Sequence, residues 1–171
     1  MPAKSLIAIL LAATPAACGG DDEDAQPNPP DKRVKSAQLG EGVVLRTQSG
    51  EALRAKVARV FDPVRDHRFE DARIAGRFVG IELRLKNQSE IPHRGSPWSG
   101  SRLSTTEGAE LPTKMLKQGS CIDTVRRVIA PGARERLCIP FRVDPGAELL
   151  KFRYAPEAGF APAAGVWDLR P

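Results

Sequence analysis

From Phe78 to Lys86 the chain alternates without a break. Val79, Ile81, Leu83 and Leu85 are apolar, while Gly80, Glu82, Arg84 and Lys86 are small or charged. Successive side chains of a strand point to opposite faces, so this stretch can bury its apolar set only as a strand with one solvated face. The pattern recurs. Leu137, Ile139, Phe141 and Val143 alternate with Arg136, Cys138, Pro140 and Arg142. Pro140 has no N–H to donate to a ladder, which places its strand at a sheet edge or at a bulge. Leu150, Phe152 and Tyr154 alternate with Lys151 and Arg153, and Leu53, Ala55 and Val57 with Arg54 and Lys56, until Val60 breaks the phase. Shorter candidates cover 43–47, 102–106, 124–129 and 166–169, where Trp167 and Leu169 face the core. Turn signals fall between them at Ser49-Gly50, Glu107-Gly108, Pro131-Gly132, Asp144-Pro145-Gly146 and 156–159. No 3.6-residue period is sustained. Seven or eight short strands with closely spaced turns predict an all-β, antiparallel β-sandwich.

The N-terminus reads as an address. Lys4 precedes a short apolar run, 6–13, too short to span a membrane as a helix, and Ala16-Ala17-Cys18 follows. This resembles the bacterial lipobox, in which small residues precede a cysteine that becomes the acylated N-terminus. Pro15 departs from that pattern, which favours an aliphatic residue there. The resemblance implies a signal segment over 1–17, lipid attachment at Cys18, and location at the cell membrane facing outside the cytoplasm. Two acyl chains give stable anchoring where one is marginal. Gly, Pro and acidic residues then run from Gly19 to Asp31 with no apolar period, predicting a flexible tether over 18–37 and a folded domain over 38–171.

Five segments together carry a second resemblance: Leu85-Lys86-Asn87-Gln88-Ser89, Thr106-Glu107-Gly108, Ile129-Ala130-Pro131-Gly132, the strand from Leu137 to Val143, and Val166-Trp167-Asp168-Leu169. They resemble the immunoglobulin-like domain of unknown function found in secreted and lipid-anchored proteins of Gram-positive bacteria, actinobacteria especially. That resemblance implies an extracytoplasmic sandwich with no assigned activity, and it transfers no active-site residue.

Cysteine usage agrees with export. With Cys18 given to lipid, Cys121 and Cys138 remain, and exported thiols tend to pair. A bridge between them would contribute about 3 kcal/mol through loop-closure entropy. Because Cys138 occupies an outward position, such a bridge lies on the outside or edge of a sheet and not across the core.

Little of the composition suits catalysis. Of 171 residues only two are histidine and three cysteine. No Gly-x-Ser-x-Gly elbow occurs, so His93, in a loop over 92–100, reads as solvated; no catalytic residue, metal or cofactor is expected. Asp62, Asp66, Glu70 and Asp71 surround His67, but Arg65, Arg68 and Arg73 compete for those carboxylates, and the segment reads as a charged connection and not a calcium loop. Trp98, in the same loop as His93, is placed either to stack on a partner or to cap the sandwich core. His93 and Trp98, with the loops 62–75 and 92–100, form the candidate binding end. The sequon Asn87-Gln88-Ser89 reads as the turn that ends a strand.

Charge is the most informative surface property. The chain carries 26 Lys and Arg against 21 Asp and Glu; residues 32–171 alone carry 25 against 16, a net +9. An acidic stalk therefore holds a basic head. Arg54, Lys56, Arg84, Lys86, Arg136, Arg142, Lys151 and Arg153 all occupy outward strand positions. On adjoining strands they would form a positive face suited to an anionic wall polymer, anionic lipid headgroups or an acidic envelope protein. Nucleic acid is not expected, since no aromatic residues interleave with the cations. The function expected is non-enzymatic binding or an envelope-structural role. The alternatives are a wall-polysaccharide or anionic-polymer module, an accessory subunit of a membrane transporter or envelope enzyme, and edge-strand pairing with another chain.

Overall fold

The computed structural model describes residues 33–64, 76–114, 121, 127–158 and 163–170. Cys18 and the leader, together with His67 and its neighbouring acids Asp66, Glu70 and Asp71, lie outside the described residues. Every regular element described is a strand. These are β1 (Val34–Gln38), β2 (Gly42–Arg46), β3 (Ala52–Phe61), β4 (Arg77–Asn87), β5 (His93–Gly95), β6 (Ser101–Thr105), β7 (Glu110–Pro112), β8 (Arg127–Ile129), β9 (Arg134–Val143), β10 (Leu149–Tyr154) and β11 (Ala164–Asp168).

They form a four-stranded sheet ordered β2-β3-β4-β9, facing a five-stranded sheet ordered β1-β11-β10-β6-β7, with a two-stranded ribbon β5-β8 beside them. All pairings are antiparallel except β1 with β11. Residues 34–37, the end of the segment read as tether, belong to β1. Only Ala37 of that strand is buried, so it carries no alternation for a sequence to display.

The alternating residues make the core. Leu53, Ala55 and Val57 of β3, Val79, Ile81, Leu83 and Leu85 of β4, and Leu137, Ile139, Phe141 and Val143 of β9 face Leu103, Phe152, Tyr154 and Trp167 of the other sheet. Phe152 bridges Phe141, edge-on at 6.0 Å, and Trp167 at 5.9 Å. Trp167 is fully buried, and its indole N–H donates to the Glu41 carbonyl at 3.0 Å, so the ring is satisfied at both its apolar and polar ends. Gly165 leaves room for that ring: a Cβ there would lie 2.4 Å from the Trp167 Cη2.

Two features read from the sequence explain themselves in the ladder. The phase break at Val60 is a register shift between Val57 and Arg59. Such a bulge moves Arg59 onto the outer face opposite Glu82. Pro140 lies on β9, the edge of its sheet, as its missing N–H requires, and its carbonyl accepts from the Lys114 N–H at 2.9 Å. A bridge from Thr113 to Phe141 further covers that edge, and the Lys35 ammonium donates to the Val44 carbonyl across the β2 edge. Each edge of the four-stranded sheet therefore carries a contact that hinders pairing with another chain's strand there.

Candidate functional site

The outer face of the four-stranded sheet is built in rows that run across β3, β4 and β9. Arg54 pairs with Lys86, which pairs with Arg134. One row along, Lys56 pairs with Arg84, which pairs with Arg136. Six cations therefore occupy a block three strands wide and two outward positions deep. Neighbouring side chains are about 5 Å apart across strands and about 7 Å apart along them. They line a depression of about 470 Å³, together with Leu85, Gln88 and Glu135.

The next row holds the counter-charge. Glu82 is directly opposite Arg59 on one side and Cys138 on the other. Its carboxylate is only 2% exposed, and it accepts from the Arg84 Nε at 2.8 Å and the Arg136 Nη2 at 2.7 Å. Burial alone would raise this carboxyl; the hydrogen bonds and charges of Arg84 and Arg136 outweigh it and hold the group below the ordinary carboxylate range. Arg59 instead lies over the Phe61 ring, 5.6 Å from its centre. Among the described residues, no carboxylate pairs with Arg54, Lys56, Lys86 or Arg134.

Beyond Glu82 the same face turns apolar. Phe61, Val64, Phe78, Cys121 and Cys138 form a second small cluster. Cys121 and Cys138 are joined by a disulfide with Cα atoms 4.7 Å apart. Gly80 lies beneath it: a Cβ on Gly80 would meet Cys121 Sγ at 2.5 Å and Cys138 Sγ at 3.0 Å. The bridge thus sits on the outside of the sheet, in the space that the missing side chain leaves.

Of the eight basic residues the alternation singled out, five meet here. Arg142 lies on the same face but beyond the disulfide, opposite Phe78. Lys151 and Arg153 lie on β10, in the other sheet. Arg134 is the addition; it stands two residues before Arg136, in phase with it, and the strand starts earlier than the apolar alternation does.

The loop end is not the open site expected. His93 is 3% exposed on β5, and its Nδ1 contacts the Glu51 Oε2. A buried ring nitrogen needs a partner, and Glu51, 42 residues earlier, supplies it. Burial, with the Glu51 charge as a lesser cause, raises the Tyr154 phenol well above its usual value. Trp98 is half-buried in the turn before β6. A shallow depression of about 420 Å³ at this end is lined by Arg94, Gly95, Ser96, Val128, Pro156, Glu157 and Ala158, and neither His93 nor Trp98 lines it. Asp62 accepts two hydrogen bonds from Arg77, at 2.7 and 3.1 Å, and so is committed to an ion pair. Asn87 is fully buried and donates to the carbonyls of Ile91 and Ile129 at 2.8 and 2.9 Å, while its Oδ1 accepts from the Ser89 N–H. It is the strand-ending turn read from the sequence, and it ties the β5-β8 ribbon to β4.

No family model matches this chain, nor does any curated protein. Solved structures do resemble it. A secreted protein of Mycobacterium tuberculosis, MPT63, matches with a TM-score of 0.57 at 15% identity, over 78% of this chain and 95% of that one. The yjhA protein of Bacillus subtilis matches with a TM-score of 0.56 at 12% identity, over 80% of this chain and 99% of that one. At such identities the likeness is one of fold, and the fold it shows is the β-sandwich described above.

Proposed function

We propose that this chain is a non-enzymatic binding module held outside the cytoplasmic membrane, which engages an anionic polymer of the cell envelope through the cationic face of β3, β4 and β9. The single observation that carries the reading is the block of Arg54, Lys56, Arg84, Lys86, Arg134 and Arg136, with one carboxylate, Glu82, shared between two of them. Like charges placed directly opposite each other on a sheet are destabilising. Nothing in core packing asks for cations at these outward positions, so the array is best accounted for by a ligand that neutralises it. Repeating anionic groups suit two parallel rows better than a single anion does. Export is supported by the leader and the lipobox-like Ala16-Ala17-Cys18, and by a fold likeness to a protein described as secreted. The lipid anchor at Cys18 and the Gram-positive, actinobacterial setting belong to the same proposal.

The test is binding of linear polyphosphate and of poly-γ-glutamate to the full-length chain in mild detergent, by fluorescence anisotropy across a salt series. Saturable binding that weakens steeply with salt, and that the Lys86→Glu and Arg134→Glu substitutions each reduce at least tenfold, supports the reading. Binding untouched by those substitutions, or absent at low salt, overturns it.

A further inference from the structure

We infer that the acidic run Asp21-Asp22-Glu23-Asp24 of the same chain occupies the cationic face when no external polyanion is present, as a built-in competitor. This rests on the preceding reading of that face and adds its regulation.

Three observations converge. The first is charge. Four consecutive carboxylates stand on one short segment, and the block of six cations on the sheet face has, among the described residues, a single carboxylate, Glu82, in its ion pairs. The second is position. β1 runs alongside β2, since the Lys35 Nζ donates to the Val44 carbonyl at 2.7 Å. Val44 is paired with Arg54, and Arg54 leads through Lys86 to Arg134. The chain therefore enters the fold at the end of the first cationic row. The third is reach. Strands are about 4.8 Å apart, so the row extends about 15 Å beyond β2. Ten residue steps separate Asp24 from Val34, which span up to about 33 Å when extended. That reach exceeds the length of the row, so the intervening residues are enough for the acids to meet any part of the array.

A segment tethered this close has a high effective concentration at the face, of millimolar order. Individually weak, screened ion pairs then suffice for occupancy at low salt and yield to a longer external polyanion that presents more charges at once.

The experiment is carbodiimide crosslinking of the full-length chain, which joins only a carboxylate and an amine already in contact, followed by peptide mapping. It is paired with polyphosphate titration of the chain carrying Asp21→Asn, Asp22→Asn, Glu23→Gln and Asp24→Asn. Crosslinks from 21–24 to Lys56 and Lys86, but not to Lys151 on the opposite sheet, are expected, and added polyphosphate should suppress them. At 50 mM NaCl the neutralised chain should bind polyphosphate about fivefold more tightly than the natural one, the two converging at 500 mM. Links spread evenly over Lys56, Lys86 and Lys151, or none, overturn the inference even if both chains bind polyphosphate; the reading of the face then stands without it. Failure of both chains to bind polyphosphate overturns that reading and the inference with it.

Discussion

Arg136 donates to Glu82 across the β4-β9 pair at 2.7 Å, although the residue that Glu82 directly opposes is Cys138. The guanidinium reaches diagonally, one row back, and so draws the cationic block toward the carboxylate that Arg84 and Arg136 share.

Glu82→Gln should therefore release both Arg84 and Arg136 for an external anion. Because their side chains are 56% and 66% exposed, water takes over their solvation, and the stability lost is modest, about 1 kcal/mol. Polyphosphate affinity should rise about threefold, the worth of one recovered surface ion pair. The pH dependence follows from the lowered Glu82 carboxyl. Its contribution to stability is fully present above about pH 4.5 and is lost as pH falls through the lower folded-state value. Melting temperatures between pH 3 and 7 should show that acid-side loss in the natural chain and a smaller one in the variant. Parallel curves would show that Glu82 is not what the acid titrates.

Lys86 stands between two like charges, Arg54 and Arg134, in a single row. Lys86→Gln should relieve repulsion and raise stability by about 0.3–1 kcal/mol. It should also weaken polyphosphate binding and flatten its dependence on salt, since one fewer cation displaces counterions. Opposite signs in the two measurements mark a residue placed for binding and not for folding. A variant that binds worse and is also less stable would mean Lys86 supports the sheet itself.

The space over Gly80 makes a third prediction. Gly80→Ala would set a Cβ 2.5 Å from Cys121 Sγ, so the bridge or β4 must shift, at a cost of about 1–3 kcal/mol. Replacing both cysteines by alanine should cost about 3 kcal/mol through the lost crosslink. Combining the two changes should cost less than their sum, because the clashing sulfurs are gone. Additive losses in denaturant unfolding would show that Gly80 matters for some reason other than the disulfide.

How much of this was legible depends on whether a residue's environment is written beside it in the chain. β4 and β9 were readable because Ile81, Leu83 and Leu85 of the one and Leu137, Ile139, Phe141 and Val143 of the other stand at every second place. The outward placement of Cys138 and the edge position of Pro140 follow from that phase alone. β1, β5 and β7 were not readable, for want of buried residues or of length: β1 buries one residue, and β5 and β7 have three residues each. The basic face was readable as a set of outward cations, but not which of them share a sheet. Register decides that, and register depends on pairings between residues as far apart as Arg54 and Arg134, through Lys86. His93 was misread for a related reason: its local surroundings are polar, and the Glu51 that makes burial tolerable is on another strand's approach.

That misreading supplies the sharpest test between the two ends of the molecule. His93→Ala leaves the half-buried Glu51 without the ring it contacts and opens a space under the β5-β8 ribbon, so stability should fall by about 1–3 kcal/mol. Polyphosphate affinity of the folded variant should be unchanged, because His93 lines neither the cationic depression nor the one at the loop end. Trp98→Ala, in the half-buried turn before β6, should likewise leave affinity alone. If either substitution reduces polyphosphate binding at a temperature where circular dichroism shows the sandwich intact, the binding site lies at the loop end and the sheet face is only a solvated surface.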